Sequence, residues 1–462
     1  MELLSVFSIC IILLVLKSIF NEGQLNFNVL FKYIFTLYIL TSITINTGYA
    51  IKIGNSSIAY NTLFSLVLLV LSVILVYYKK FNKKILIYGI LLYLSVFLGY
   101  VLFVIIPYKG GMIQSLELWD GYIRGELPLV YEPSLPHKLF NWIISVIRMP
   151  LILSVASYIL NKSYMRKMSE KIYALSNLIL VYGFIELIAK KLFKSTICNT
   201  FVMYFFGNIG ENGSVRRLNG FTKEPSQYAL VLFIFSLFML IEYRFRTKND
   251  KTIKNKDLIL VLKVYKTIWI KLGLIYILML FSGSIISYYL FCISFCCFLY
   301  QIDIRKLNKR IIKSLLIFFI ILILLVLIFG LPSALQSRID RILNVIKTIQ
   351  SGQKYQSYET SEGARLVSIS EMIKCFINRP LFGVGLGVTD AHSTIFSVLA
   401  NFGIVGSILL SKIWKEFAKA SFKSKYFWMI IISMLLSGGL GYFMEFYYPF
   451  IIYELELSEK GN

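Results

Sequence analysis

The segment Ser314–Ser337, SLLIFFIILILLVLIFGLPSALQS, contains no charged side chain from its first residue to its last. About 20 apolar residues in a helix cross a hydrocarbon core of roughly 30 Å. Hydrophobic residues make up 57% of the 462 positions, and several further windows have this character. Because lipid offers no partner for backbone N–H and C=O groups, these windows are expected to be helices. The predicted fold class is therefore all-α: a polytopic membrane helix bundle, with residues 1–462 forming one integral membrane domain.

The basic residues predict how the helices are oriented. A formal net charge of +24 would suggest nucleic-acid binding in a soluble domain, but in a membrane protein Lys and Arg mark the cytoplasmic loops. Five segments are rich in these residues: Lys79–Lys84, Asn161–Lys171, Arg244–Lys266, Asp303–Lys313 and Lys412–Lys425. All five should face the cytoplasm, so an even number of spans should separate each from the next. No nucleic-acid partner is expected.

This parity rule gives about 12 transmembrane helices. The expected spans are Met1–Ile19, Phe27–Ile45, Ser57–Tyr77, Ile85–Ile106, Leu139–Leu160, Ile172–Leu192, Pro225–Ile241, Ser314–Leu331 and Ser393–Leu410, with one or two more in Tyr426–Tyr453. The apolar stretch Thr267–Ile302 lies between two basic segments, so a single crossing would break the parity. Gly and Ser supply turn chemistry at Ser282-Gly283-Ser284, which predicts a tight hairpin of two short spans.

The same parity places three segments on the outer side of the membrane. They are Pro107–Lys138, Phe193–Lys223 and a large outer loop at 332–391. Within this loop, apolar residues at helical spacing predict an amphipathic helix on the outer membrane surface, stopped by Asn378-Arg379-Pro380. Its apolar residues are Leu366, Ile369, Ile373, Phe376 and Ile377. Cys198 and Cys375 could also face outward, where a disulfide between them is conceivable.

A basic cluster on the outer side, where positive loops are disfavoured, is a candidate anion site. Arg216 and Arg217 offer planar guanidinium groups that can bind phosphate oxygens in a bidentate way. The alternative is that these cations contact lipid headgroups or solvent. Glu224 precedes Pro225 at a helix start, where a carboxylate can cap the free N–H groups or act as a base.

His392 is a second candidate, because it follows the turn PLFGVGLG in a passage that also holds Arg365 and Arg379. A structural hydrogen bond is the alternative role of this histidine. The three turn glycines, Gly383, Gly385 and Gly387, follow no strand of a βαβ unit, so we interpret them as a close-packed turn and not a nucleotide site. No metal-binding or P-loop motif is present in the sequence. We therefore expect no metal and no cofactor.

The arrangement of these motifs resembles the O-antigen polymerase and ligase family, the Wzy-type polysaccharide polymerases in particular. The matching pieces are R-x-N-G-F-x-x-E-P-S-x-Y-A at Arg217–Ala229, the turn at Ser282, and the stretch from Arg365 through NRPLFGVGLG to AHSTIF and NFGIVG. The resemblance implies a metal-independent membrane glycosyltransferase that uses undecaprenyl-diphosphate-linked oligosaccharides on the outer face of the bacterial plasma membrane. Implied partners are that lipid-linked substrate, membrane lipids, and a chain-length regulator and flippase of the same pathway.

The resemblance also assigns roles to residues. Arg216 or Arg217 and Arg365, with Arg379 nearby, would hold the diphosphate, and His392 would lie nearest the acceptor hydroxyl, with Glu224 as the other candidate base. The chain departs from the family pattern at two positions: Ile285 follows the serine turn where Arg or Lys is usual, and Ser393 follows His392 where Asn is usual. Two rival functions remain open: a ligase that transfers finished glycan to another acceptor, and a flippase of the lipid-linked oligosaccharide.

Overall fold

The computed structural model describes the chain in ten stretches, and these are mostly helical. The described residues are 26–44, 49–53, 56–106, 135–206, 217–222, 225–249, 266–301, 369, 372–385 and 393–417. Several predictions fall outside them: the spans Met1–Ile19 and Ser314–Leu331, the end Tyr426–Tyr453, and most of the outer segments Pro107–Lys138 and 332–391.

The helices follow the predicted spans closely. Their bounds are α1 Phe27–Thr44, α2 Tyr60–Tyr77, α3 Lys83–Ile105, α4 Leu135–Ile159, α5 Lys162–Lys191, α6 Ile197–Phe206, α7 Pro225–Asn249, α8 Lys266–Phe281, α9 Ile285–Gln301, α10 at 372–378 and α11 Thr394–Phe417. Among the described residues, α2, α3, α5 and α11 contain apolar stretches long enough to cross a membrane. α5 begins ten residues before the predicted span, because the basic segment Asn161–Lys171 forms its first turns. The protein is a multi-pass membrane protein.

The predicted hairpin is confirmed. α8 ends at Phe281 and α9 begins at Ile285, so the apolar stretch turns at the serine-glycine-serine sequence. Gly283 has φ +72°, a conformation that glycine adopts without a Cβ penalty. The carbonyl oxygen of Met279 accepts hydrogen bonds from the Ser282 amide (3.4 Å) and the Ser287 hydroxyl (2.7 Å), which closes the turn.

The described helices alternate in direction, so those basic segments that the structure describes gather at one end of the bundle, which we call the basic end. Three contacts define it: Lys80 Nζ donates to Asn28 Oδ1 at 3.3 Å, the Asn82 amide donates to the Ser154 carbonyl at 3.0 Å, and Lys412 lies over the Tyr88 ring. The C-terminal ends of α3 and α5, where Arg379 and Arg217 lie, form the opposite end. The positive-inside rule predicts that the basic end faces the cytoplasm.

One element departs from the all-α prediction. The strands β1 (Tyr49–Ile53) and β2 (Ser56–Ala59) pair antiparallel between α1 and α2, at the end opposite the basic end. The alternation in this connection is too short to predict a strand pair from sequence. The hairpin links two helices, and its position leaves the helical bundle unchanged.

α7 lies at the centre of the described bundle. Every side chain from Gln227 to Ile241 is buried, and the helix packs against α8 and α9. Ser236 Oγ lies 2.6 Å from Ser294 Oγ on α9, so the polar groups of the core pair across the helix contact. This burial fixes the position of the α7 start at Pro225, beside the candidate basic cluster.

Candidate functional site

The loop Arg217–Thr222, which carries the first half of the predicted motif, is bound to one face of α5. Glu186 and Lys190 lie one turn apart on this face, and their side chains form an ion pair with 2.7 Å between Lys190 Nζ and Glu186 Oε1. Both side chains are almost fully buried. Charged groups are buried in a membrane protein only where partners satisfy them, so such a pair marks a candidate functional region.

The remaining hydrogen-bonding capacity of the ion pair is used on the loop backbone. Glu186 accepts from the amides of Asn219 (Oε1, 3.1 Å) and Gly220 (Oε2, 2.8 Å). Lys190 Nζ donates to the carbonyl oxygen of Arg217 at 2.7 Å. The Asn219 carbonyl in turn accepts from both the amide and the hydroxyl of Thr222. Five polar contacts therefore fix the path of six residues.

Aromatic packing and one glycine also hold the loop in place. The Phe221 ring stacks on Tyr182 of α5 at 4.3 Å between centroids and meets Phe206 of α6 edge-on at 5.5 Å. Gly220 has φ +56°, and a Cβ there would lie 2.4 Å from the buried ring of Tyr228. A larger residue at Gly220 would be both strained and blocked, which explains the glycine in the motif.

Arg217 is held by its backbone, while its side chain is only half-buried. The anchored peptide therefore places the Cα of Arg217 near the end of α5, and its side chain is partly accessible. Arg216 and Glu224 lie outside the described residues, so their predicted roles stay predictions.

Arg379 lies at the same end of the bundle, but on a different group of helices. It directly follows α10, as the Asn-Arg-Pro stop predicts, and its Nη2 donates to the carbonyl oxygen of Ile106 at the end of α3. The exposed side of α10 contains two of the apolar residues of the predicted amphipathic helix. Met372 and Cys375 are buried against Phe103, whereas Ile373 and Ile377 are exposed.

The glycine turn packs against a break in α11. Gly403 has φ +61° and ψ −169°, which interrupts the helix. The freed amides of Ile404 and Val405 donate to the carbonyls of Pro380 (2.7 Å) and Leu381 (3.0 Å). On the other side of the break, the carbonyls of Ala400 and Asn401 accept from the amides of Val384 and Gly385, at 2.9 and 3.1 Å.

The prediction of a close-packed turn is confirmed for Gly383 and Gly385. Both have positive φ, and a Cβ at Gly383 would lie 2.5 Å from the Ala400 carbonyl oxygen. The suggested disulfide is wrong: Cys198 and Cys375 are both free and buried, one in α6 and the other in α10. Residue Gly387 lies outside the described residues.

Two of the predicted site residues, Arg217 and Arg379, are among those that the structure describes. Arg217 and Arg379 lie at the same end of the helices, and within the described stretches no contact joins them. Arg365 and His392 lie outside the described residues. In the described part of the chain, no group of His, Cys, Asp and Glu side chains is arranged to hold a metal ion.

Sequence reasoning missed Glu186 and Lys190. Two opposite charges four residues apart near the end of an apolar helix were a usable signal, because charges in a membrane span are rare without a role. Their partners, the amides of residues 219 and 220, are more than thirty positions away in the chain. Only the tertiary structure identifies these partners.

Comparison with known protein families gives a match for a segment in the second half of the chain. Residues 267–411 match the family model of the O-antigen ligase domain. No curated protein and no solved structure shows a significant match. The matched segment begins in α8, includes the serine turn and the glycine turn, and ends in α11 after the break. The match indicates a membrane function of the O-antigen ligase or polymerase type. Over residues 267–411 the chain is thus similar to the O-antigen ligase domain, which supports the predicted resemblance to the O-antigen polymerase and ligase family.

Proposed function

We propose that the protein is a membrane glycosyltransferase that polymerises undecaprenyl-diphosphate-linked oligosaccharide repeat units into a surface polysaccharide of the capsule or O-antigen type. The observation that carries this proposal is the anchored loop Arg217–Thr222. Its anchored backbone carries the Arg217 side chain at the end of the bundle opposite the basic end. A lipid diphosphate at the outer membrane surface requires such a cation.

The proposed reaction forms one glycosidic bond and breaks one bond to phosphate. The acceptor hydroxyl oxygen attacks the anomeric carbon of the donor sugar, and the lipid diphosphate departs with the bonding electrons. Negative charge then grows on the phosphate oxygens. Arg217 and Arg365, together with Arg379 or Arg216, would stabilise this charge without having to move during the reaction. The hydroxyl proton passes to His392 or to Glu224.

Purified protein in vesicles containing lipid-linked repeat units tests this proposal. The expected product is a ladder of polymers on the lipid carrier. Arg217→Ala should lower the rate by about 100-fold or more, as expected for loss of one charge-stabilising group, and Arg217→Lys by less. The matched control is Lys83→Gln at the basic end, which should leave the rate unchanged. Equal rates for Arg217→Ala and the control would refute the role of this arginine.

The ligase function is the second candidate, because the matching family model is that of the O-antigen ligase. A ligase transfers a finished glycan to a different acceptor and makes no ladder from repeat units alone. A flippase makes no glycosidic bond at all. The same vesicles, with and without a second acceptor, therefore separate the three functions by the products formed.

A further inference from the structure

The short helix α6 presents an unusual surface next to the candidate site. Its buried side chains, Cys198, Val202 and Phe206, recur at every fourth position and face the bundle. The opposite side is exposed and almost entirely apolar. The exposed fractions are 68% for Ile197, 52% for Phe201 and 76% for Tyr204, and Phe193 in the connection before α6 is 75% exposed.

The level of α6 along the bundle follows from its contacts with α5. The Tyr182 hydroxyl donates to the Cys198 carbonyl at 2.7 Å, and the rings of Tyr182 and Phe201 lie 6.5 Å apart. Tyr182 precedes the end of α5 at Lys191 by nine residues, which is about 13 Å along the helix axis. α6 therefore lies beside the apolar end of α5, where Val181 and Ile185 are also exposed.

The length of α6 excludes a complete crossing. Ten residues extend for about 15 Å, which is half of the roughly 30 Å hydrocarbon core. A surface of large apolar side chains is unfavourable in water in proportion to the area exposed. An environment of lipid chains on one half of the bilayer removes this cost.

Basic side chains lie at the corner where the chain turns from α5 into α6. Lys191 ends α5 and is half-buried, and Lys194 is exposed with φ +49°. The Ser195 amide donates to the Ala189 carbonyl at 2.9 Å, which folds the corner back onto the end of α5. The two cations therefore lie at the end of α5, next to the start of α6, where headgroups are expected. This is the charge distribution that binds anionic lipid.

We propose that α6 and the corner Lys191–Lys194 form a lipid-binding surface embedded in one leaflet, with Phe193, Ile197, Phe201 and Tyr204 against acyl chains and Lys191 and Lys194 against the phosphate of an anionic phospholipid. This surface attaches α6 to the membrane. Because Phe206 of α6 packs against Phe221, the attachment also holds the loop Arg217–Thr222 close to the membrane. The inference does not depend on the proposed reaction.

Photo-crosslinking of the full chain tests the lipid contact. Tyr204 or Phe201 is replaced by p-benzoylphenylalanine, and the protein is placed in nanodiscs with equal amounts of zwitterionic and anionic phospholipid. We expect acyl-chain adducts at both positions. The matched control, Lys167→p-benzoylphenylalanine at the basic end, is exposed on α5 and should give none.

The headgroup part of the proposal is tested in the same nanodiscs. The Tyr204 adducts should favour the anionic lipid by about five-fold, which is the preference that one cation near the surface supplies. Lys191→Gln with Lys194→Gln should reduce this preference to near one, whereas Lys83→Gln with Lys84→Gln should leave it unchanged. An equal yield of both lipids from the parent protein would overturn the anionic-lipid assignment.

Three further results would overturn the proposal. Absence of any lipid adduct at Tyr204 and Phe201 would place α6 in water. Crosslinks to a second copy of the chain would make the surface a protein interface. Preferential adducts with added undecaprenyl diphosphate over phospholipid would make it the binding site of the substrate tail, which would leave the proposed reaction intact.

Discussion

At the scale of single residues, the buried pair Glu186 and Lys190 does more than balance charge. Its atoms bond to the backbone at Arg217, Asn219 and Gly220, so it sets the position of the candidate arginine. Glu186→Ala should lower the free energy of unfolding by about 3–5 kcal/mol, because Lys190 would be left buried without its carboxylate. It should also abolish polymer formation. Unfolding in detergent and product ladders in vesicles measure the two effects.

A double variant separates the charge from the loop. Glu186→Met with Lys190→Met removes both charges, so it should be more stable than Glu186→Ala. The loop amides would still lack their acceptor, and polymer should not return. Full polymer from the double variant would show that the pair is structural only. Lys167→Gln, on the exposed face of α5, is the control and should change stability by about 0.5 kcal/mol or less.

The motif residues were predictable from sequence because their order along the chain resembles a family. The pair Glu186 and Lys190 was not predictable, because its role depends on loop amides that come close to α5 only after the chain has folded. Arg217 is thus the one member of the basic cluster whose local setting the structure explains. For Arg379 the sequence predicted the helix stop, but the contact with Ile106 depends on the packing of α10 beside α3.

At the scale of elements, apolar length and parity predicted where helices begin and end, but not the break in α11. A break requires a backbone partner, and Pro380 and Leu381 supply it from another part of the chain. The serine turn between α8 and α9 was predictable because Gly283 and its neighbours act locally. Local turn chemistry is readable in sequence, whereas a broken helix that pairs with a distant turn is not.

The break in α11 gives a further prediction. Gly403→Ala would place a Cβ 2.4 Å from the Leu381 carbonyl oxygen, and φ +61° with ψ −169° is a conformation essentially limited to glycine, which costs an L-residue about 1–3 kcal/mol before that clash is counted. The variant should unfold well below the parent temperature and lose activity. Ile404→Val, at the next position and partly exposed, is the matched control and should behave like the parent. Equal thermal unfolding of both variants would mean that the turn does not need this break.

At the scale of the whole molecule, the distribution of Lys and Arg predicts the orientation of the bundle, and the alternating helices place the described basic segments at one end. The proposed function requires the other end to face outward, because the proposed lipid-linked substrate would be bound at the outer membrane surface. Orientation is thus the property on which the candidate site and the proposed reaction both depend. The placement of Lys and Arg predicts this orientation from sequence, because the positive-inside bias acts on each loop separately and needs no tertiary contact.

Labelling of intact cells decides the orientation. Lys374→Cys places a thiol on the exposed side of α10, and Lys84→Cys places one at the basic end. A membrane-impermeant maleimide should label Lys374→Cys in intact cells and Lys84→Cys only after permeabilisation, with the unsubstituted chain as the background. The reverse pattern would place Arg217 and Arg379 in the cytoplasm, where a cation cluster at a helix end has no need to hold a lipid diphosphate. The anchored loop would then require a cytoplasmic ligand, and the polymerase and ligase assignments would both fail.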